Sequence, residues 1–160
     1  MTSITNQKST LYRLGVGLMI LNHKNDIFVG KRNNTSSHKW QMPQGGIEAG
    51  ETAIKAAMRE MLEEIGSNKC TIIAQATRWY SYDIPQSSTN LWKGLYRGQT
   101  QQWFLVRFDG QDDEIDLLSC KKPEFIAWQW LQQTELITHA PRLKKKLYTA
   151  IMQEFTPYLN

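Results

Sequence analysis

The sequence predicts a single α/β domain in which a mixed β-sheet is sandwiched between helices. A chain of 160 residues with 41% hydrophobic and 21% charged residues has the size and balance of one globular domain. Strand patterns in both halves of the chain imply strands in both directions, and two amphipathic helices are available to cover them. We place the domain at residues 11–157 and expect residues 1–10 to form a flexible tail.

The first predicted element is a strand from Leu11 to Leu21. Apolar residues fill both alternating sets of positions in its second half, so both of its faces are expected to be buried. A polar turn from Asn22 to Asp26 leads to a return strand from Ile27 to Lys31, which predicts a hairpin.

A helix is predicted between the turn at Gly50 and Gly66, which suits a helix C-terminal cap. Apolar residues recur along it at the 3.6-residue helical period, so one side of the helix is expected to face a core. These residues are Ile54, Met58, Met61 and Ile65, flanked by Ala57 and Leu62.

The second half of the chain predicts three more strands and a final helix. The strands are expected at Thr71–Asp83, Gln102–Phe108 and Phe125–Leu131. Residues 86–101 are predicted to be a loop that carries binding groups, because they are long for a plain connection. The helix is expected from Pro141 to Phe155, with inward positions at Leu143, Leu147, Ile151 and Phe155.

Acidic side chains are crowded on the helix that ends at Gly66. Glu60 faces both Glu63 and Glu64, and each like-charge pair costs roughly 0.2–0.5 kcal/mol on an isolated helix. Hard oxygen ligands at this density suit Mg²⁺ or Mn²⁺, which would remove the repulsion on binding. The alternative interpretation is a solvated acidic helix face.

The spacing of these residues is more specific than their composition. Gly45 is followed by five residues, Glu51, seven more residues and then the run REMLEEIG, which ends at Gly66. This pattern, residues 45–67, resembles the Nudix box of the Nudix hydrolases. Ser67 departs from it, standing at a packing position where the family favours an aliphatic residue. The resemblance implies the Nudix fold, an α/β/α sandwich in which the box forms a loop, a helix and a loop.

Segments outside the box resemble bacterial RNA pyrophosphohydrolases, a branch that overlaps the asymmetric dinucleoside polyphosphate hydrolases. They are WQMPQGG, which ends at Gly46, and the runs at 79–85, 97–108 and 123–131. The resemblance implies removal of pyrophosphate from 5′-triphosphate RNA to leave a 5′-monophosphate, a step that promotes mRNA decay. Alternatives are hydrolysis of diadenosine tetraphosphate, sanitation of oxidised nucleoside triphosphates, or a non-catalytic nucleotide-sensing module.

Metal and catalytic roles follow from the same resemblance. It implies that Glu60, Glu63 and Glu64, with the carbonyl of Gly45, hold Mg²⁺ or Mn²⁺, with more than one ion bound. We expect Arg59 to pair with Glu51 and fix the helix against its entry loop. The resemblance points to Glu114 as general base. The alternatives are a box glutamate as base, for which Glu63 is a catalytic candidate, and a solvated acidic turn around Glu114.

Five residues are candidates for binding substrate. Guanidinium groups suit phosphate oxygens, which favours Arg13 and Arg32, although each is equally compatible with an ordinary surface position. Tyr82 is a candidate for stacking or phosphate contact, with a core position as the alternative. Gln99 is a weaker candidate. Lys144 resembles a position near the nucleoside pocket; the alternative is a solvated basic helix face.

Charge and cysteine content give broader expectations. Lys and Arg total 19 against 15 acidic residues, and the net charge of +4 and pI near 9.1 favour a polyanionic partner. Two cysteines without metal-ligand spacing suggest reduced thiols. No apolar stretch is long enough to span a bilayer, and the polar N-terminus lacks a signal peptide. We therefore expect a cytoplasmic protein without a membrane partner.

Overall fold

The computed structural model describes residues 11–32, 38–85 and 95–159. The predicted N-terminal tail lies outside the described residues, as do residues 86–94 of the predicted loop. Within the described ranges, no helix is long and apolar enough to cross a membrane.

A seven-stranded mixed sheet forms the centre of the molecule. Its strands are β1 (Tyr12–Leu21), β2 (Ile27–Arg32), β3 (Gln44–Gly46), β4 (Cys70–Gln75), β5 (Tyr80–Asp83), β6 (Gly98–Phe108) and β7 (Phe125–Leu131). The main order is β4-β6-β1-β2-β7, while β3 pairs with β1 and β5 pairs with β6. Only the β1–β6 pairing is parallel among these strands. The prediction of a mixed sheet is confirmed.

Helices cover both faces of this sheet. They are α1 (Ala53–Ile65), α2 (Leu136–His139) and α3 (Lys145–Phe155). Along β1, Val16, Leu18 and Ile20 pack on the face covered by α1, whereas Met19 and Leu21 pack on the face covered by α3. The alternation of β1 therefore joins two cores, as its two apolar faces predicted.

The buried side of α1 differs from the prediction. Ile54 and Leu62 are exposed and Met58 is half-buried, while Met61 and Ile65 are fully buried. The complete buried set is Ala56, Ala57, Glu60, Met61, Glu64 and Ile65. The small side chains of Ala56 and Ala57 let the helix approach the sheet closely. The helix is rotated about its axis relative to the prediction, so Glu60 and Glu64 face inward.

Other element boundaries also need correction. The strand predicted at Thr71–Asp83 is two strands, β4 and β5, because the chain leaves the sheet after Gln75 and returns to β6 at Tyr80. The helix predicted from Pro141 begins as a 3₁₀ turn at Arg142–Lys144, and Leu143 is exposed rather than inward. The sequence did not predict β3 or α2.

Candidate active site

The loop that precedes α1 is fastened to the helix by Arg59. Its Nε and Nη2 donate to the two carboxylate oxygens of Glu51 at 2.8 and 3.0 Å, and Nη2 also donates to the carbonyl of Gly46 at 2.8 Å. This fork lowers the pKa of Glu51 to about 2. The expected Arg59–Glu51 pair is present, and it fixes the entry loop with the helix.

A side chain at position 45 would displace the Glu60 carboxyl group, which lies against the α-carbon of Gly45. A Cβ atom added there would lie 2.0 Å from Cδ and Oε1 of Glu60. Glu60 is only 6% exposed, and burial raises the pKa of its carboxyl group to about 7 against the opposing effect of Arg59. The close packing places Glu60 directly on the glycine loop.

Glu64 lies one turn further along the helix and is the most poorly satisfied carboxylate of the site. It is 5% exposed, and its Oε2 atom has no hydrogen-bond partner among the described residues. Burial, and then the nearby charges of Glu124 and Glu60, raise the pKa of Glu64 well above its ordinary value. A buried acceptor without a donor is costly unless a cation or proton meets it.

Glu124 is an acidic residue of this site that the sequence did not predict. It interacts electrostatically with Glu60 and Glu64, and its carboxyl group lies within hydrogen-bonding range of Glu64. The register of the sheet brings it there, because Phe125 of β7 pairs with Arg32 of β2. The antiparallel pairing of two predicted strands is the signal that would have found it.

Glu114, the candidate base, has different neighbours. It ends a 3₁₀ turn where Oε1 pairs with Lys69 and Oε2 accepts from the backbone of Gln111 at 2.6 Å. These partners lower the pKa of Glu114. Two residues later, the backbone N–H of Asp116 donates to Ile65, which places this turn at the C-terminal end of α1. The geometry supports Glu124 rather than Glu114 as the acid nearest to Glu64.

The donor set fits a divalent cation, although its side chains do not yet converge. No group of three acidic, histidine or cysteine residues in the described ranges is arranged as a metal site. Glu60 and Glu63 turn instead toward Nη1 of Arg59, at 2.9 and 3.3 Å. The unpartnered oxygen of Glu64 and the mutual repulsion of buried carboxyl groups are the features that a hard cation would relieve.

Cationic side chains face the acidic cluster. Lys144 is 8% exposed, and its ammonium group donates to side-chain oxygens of Gln41 and Gln44, each at 2.8 Å. Burial first, and then the charge of Arg32, lower the pKa of Lys144 to about 7, while Glu124 opposes the shift. Arg32 also interacts with Glu64. The predicted substrate residues Arg32 and Lys144 thus lie together beside the carboxylates.

Tyr82 and Arg13 complete this side of the site. The Tyr82 hydroxyl accepts from Gln44 at 2.7 Å, and burial raises its pKa against the opposing effects of Gln44, Arg32 and Arg13. Arg13 lies over the glycine loop, since a Cβ at Gly46 would come within 2.3 Å of its Nη2. Four of the five substrate candidates are therefore neighbours.

Gln99 lies beneath the site rather than at its surface. It is 2% exposed and accepts from Gln101 at 2.6 Å, and Gln101 in turn accepts from the indole of Trp103 at 2.9 Å. A Cβ at Gly15 would lie 2.5 Å from the Gln99 side chain and 2.7 Å from the carbonyl oxygen of Gly45. This buried polar row supports the floor of the glycine loop.

Comparison with known proteins agrees with this geometry. The model of the NUDIX domain matches residues 11–155. The RNA pyrophosphohydrolases of Rickettsia prowazekii and Rickettsia typhi are each 54% identical over 145 residues, covering 90% of this chain and 89% of theirs.

Solved structures show the same fold at lower sequence identity. The Escherichia coli dihydroneopterin triphosphate pyrophosphohydrolase superposes with a TM-score of 0.67 at 22% identity, covering 90% of this chain and 97% of its own. A Caenorhabditis elegans Ap4A hydrolase gives 0.64 at 19% identity, covering 94% of this chain and all of its own.

Proposed function

The chain belongs to the NUDIX family, and we propose that it is a metal-dependent RNA pyrophosphohydrolase. It would convert a 5′-triphosphate RNA end into a 5′-monophosphate and release pyrophosphate, and so promote mRNA decay. The relatives that are 54% identical over 90% of the chain support this substrate class. A cytoplasmic location remains a prediction of the sequence.

One observation supports the proposal most strongly: the buried acid Glu64 and the buried cation Lys144 share the same two charged neighbours, Glu124 and Arg32. Glu64 interacts with Glu124 and Arg32, and Lys144 interacts with the same two residues. Burying ionisable groups of both signs is costly, and Oε2 of Glu64 has no hydrogen-bond donor among the described residues, so this arrangement supports a ligand site. A metal–polyphosphate complex carries both complementary charges.

Glu60, Glu63 and Glu64 would hold the divalent ions, with the carbonyl of Gly45 as a further ligand. Bound there, Mg²⁺ or Mn²⁺ supplies Lewis acidity toward phosphate oxygens and lowers the pKa of water. Arg59 holds Glu60 and Glu63 by hydrogen bonds, so it acts as a positioning residue between the entry loop and these carboxylates. The raised pKa of Glu60 means that ion binding displaces a proton near neutral pH.

The reaction adds water across the phosphoanhydride bond between the α and β phosphates. The water oxygen bonds to phosphorus, the bridging bond breaks, and its electron pair leaves with pyrophosphate. We assign Glu124 as the base that accepts the water proton, in place of Glu114, because it is solvent-exposed and next to Glu64. A base must lie within hydrogen-bond reach of the attacking water, and the pairing of Glu114 with Lys69 keeps it elsewhere.

The cationic side would bind the phosphates. Arg13 and Arg32 offer guanidinium forks, and Lys144 offers an ammonium group already aimed by Gln41 and Gln44. Tyr82 would contact the substrate through its ring or hydroxyl. Gln99 would support the glycine loop from below rather than contact the substrate directly.

Parallel turnover assays test the proposal. With Mg²⁺, we expect faster release of pyrophosphate from a 5′-triphosphate RNA than cleavage of diadenosine tetraphosphate. Glu124→Gln should lower kcat by about 10²–10⁴-fold with little change in KM, the usual size of a general-base effect. Preferred cleavage of the dinucleotide would favour a dinucleoside polyphosphate hydrolase instead. Absence of turnover on both substrates, despite tight nucleotide binding, would favour a sensing module.

A further inference from the structure

A groove of about 410 Å³ adjoins the site between the turn that precedes β5 and the first half of α3. The turn contributes Arg78 and Trp79, and the facing side contributes Leu143 and Lys146. Between Leu143 and Ala150 the groove follows the helix for about 10 Å, at roughly 1.5 Å per residue. It is therefore an extended surface rather than a single small pocket.

Tyr82 connects this groove to the candidate active site. The tyrosine lines the groove, yet its hydroxyl accepts from Gln44 and its ring lies 5.8 Å from the ammonium group of Lys144. Leu143 directly precedes Lys144 in the chain, and Lys146 follows it by two residues. A ligand whose phosphates lie at Lys144 thus reaches the groove by passing Tyr82.

The groove offers an aromatic surface beside cations. Trp79 is 44% exposed and Leu143 is 58% exposed, so apolar side chains are left open at this place. Arg78 lies over the ring of Tyr80 at 4.6 Å, and Lys146 is exposed on the opposite side. Bases stack on aromatic side chains while cations follow the phosphate backbone, a combination typical of single-stranded nucleic acid binding.

The acidic residues near the groove are engaged by other groups. Asp83 accepts from Arg97 at 2.7 Å and from the Tyr12 hydroxyl at 2.6 Å. Glu154 is bonded to the Tyr80 hydroxyl and accepts from the backbone of Thr77 at 2.6 Å. Among the residues that line the groove, the cations Arg78 and Lys146 outnumber the one carboxylate, Asp83, which is already paired with Arg97.

We propose that this groove binds the nucleotides of the RNA that follow the 5′ end, with Trp79 stacking on a base and Arg78 and Lys146 contacting the backbone. The inference rests on the proposed function, and it adds a binding surface that a dinucleoside polyphosphate is too short to use. It makes the length of the RNA a determinant of KM.

The test compares two substrates on the Mg²⁺-loaded full chain: a triphosphorylated RNA of about ten nucleotides and a triphosphorylated dinucleotide. Trp79→Ala should raise KM for the longer RNA about five-fold or more, the effect of losing one stacked base, and leave the dinucleotide unaffected. Trp79→Phe should restore the KM, because the ring is retained. Lys146→Gln should lower the salt dependence of kcat/KM on the longer RNA by a slope of about 0.7.

Lys24→Gln is the matched control, since Lys24 is exposed in the turn between β1 and β2, outside the residues that line the groove. It should leave kinetics on both substrates unchanged. Equal KM for the longer RNA in the wild type and Trp79→Ala would overturn the inference while leaving the proposed function intact. Equal losses on both substrates would also overturn it, because the groove would then serve the first two nucleotides or only the fold. If the wild type cleaves neither triphosphorylated RNA, the proposed function itself fails.

Discussion

Two regions of this molecule concentrate carboxylates, and they differ in how those carboxylates are satisfied. In the turn at Asp112–Glu114, two carboxylates have hydrogen-bond donors. Glu114 accepts from Lys69 and from a backbone N–H, and Asp112 accepts from the Trp130 indole at 3.0 Å. On α1, Glu64 is buried with an oxygen that lacks a donor in the described structure. The pKa of Glu114 is lowered, while that of Glu64 is raised.

This difference separates acidic residues that stabilise a turn from acidic residues that a bound cation would stabilise. Density of charge along the sequence is similar in the two regions, so it does not distinguish them. Burial and missing donors distinguish them. An exposed carboxylate that already has hydrogen-bond partners gains little from binding a metal. A buried carboxylate gains more, because the metal offsets its desolvation and its repulsion by neighbouring carboxyl groups.

The largest expected effect comes from neutralising one carboxylate in each region. Glu64→Gln should reduce kcat/KM on 5′-triphosphate RNA by about 10²–10⁴-fold, because a metal ligand in the cluster is lost. Glu114→Gln should keep nearly full activity, since its partners lie at the end of α1. Steady-state kinetics at saturating Mg²⁺ measure both.

Thermal unfolding of the metal-free proteins is the control for folding. Glu64→Gln replaces a buried ionisable carboxyl group next to Glu60 and Glu124 by a neutral amide, so its Tm without metal should equal or exceed that of the wild type. An active Glu64→Gln protein, or an inactive but folded Glu114→Gln protein, would reverse the roles of the two regions.

A smaller effect is expected from pH on the stability of the metal-free protein. The pKa of Glu60 is about 7 in the fold against about 4.5 unfolded, so its contribution is fully present below pH 4.5 and is lost as the pH rises through 7. The free energy of unfolding should fall by on the order of 3 kcal/mol over this window. Lys144 stays protonated in both states well below pH 7, but because its pKa is about 7 in the fold and 10.5 in the unfolded chain, it offsets part of this fall as the pH passes 7.

Urea denaturation at pH 5 and pH 7.5, with and without Mg²⁺, measures this change. Mg²⁺ should restore stability at the higher pH, and Glu60→Gln should flatten the dependence. A metal-free wild type that becomes more stable across this window would show that Glu60 and Glu64 are not the buried, strained acids described above.

The smallest effect is expected in the acidic turn. Lys69→Ala removes the partner of Glu114, but both side chains are solvent-accessible, and exposed ion pairs contribute little to stability. The Tm should be unchanged within error at moderate salt. A clear drop in Tm would mean that the turn supports α1 more strongly than its exposure indicates.

The parts of the fold that the sequence predicted are those with a local signal. The alternation in β1, the cap at Gly66 and the strand Phe125–Leu131 each follow from residues close together in the chain, and the structure has all three. The short strand β3 carries no such signal, because its pairing with β1 depends on close approach at Gly45 and Gly46.

The sequence predicted the site residues on α1 better than those that come from distant parts of the chain. The spacing from Gly45 to Gly66 identified the acids of α1, but not that Glu60 and Glu64 face inward, since their burial depends on the small residues Ala56 and Ala57. Glu124 follows a polar stretch with no periodicity and reaches the site only through the β2–β7 register. Long-range pairing, not local pattern, decides between Glu114 and Glu124.

The central claim is that buried, partly protonated carboxylates on α1 form the cation site. Calorimetric titration with Mn²⁺ at pH 7, in buffers of different ionisation enthalpy, measures both ion binding and the protons released. We expect the wild type and Glu114→Gln to bind Mn²⁺ with proton release, and Glu64→Gln to bind far more weakly and to release fewer protons. Undiminished binding by Glu64→Gln, or binding by the wild type without proton release, would contradict the claim.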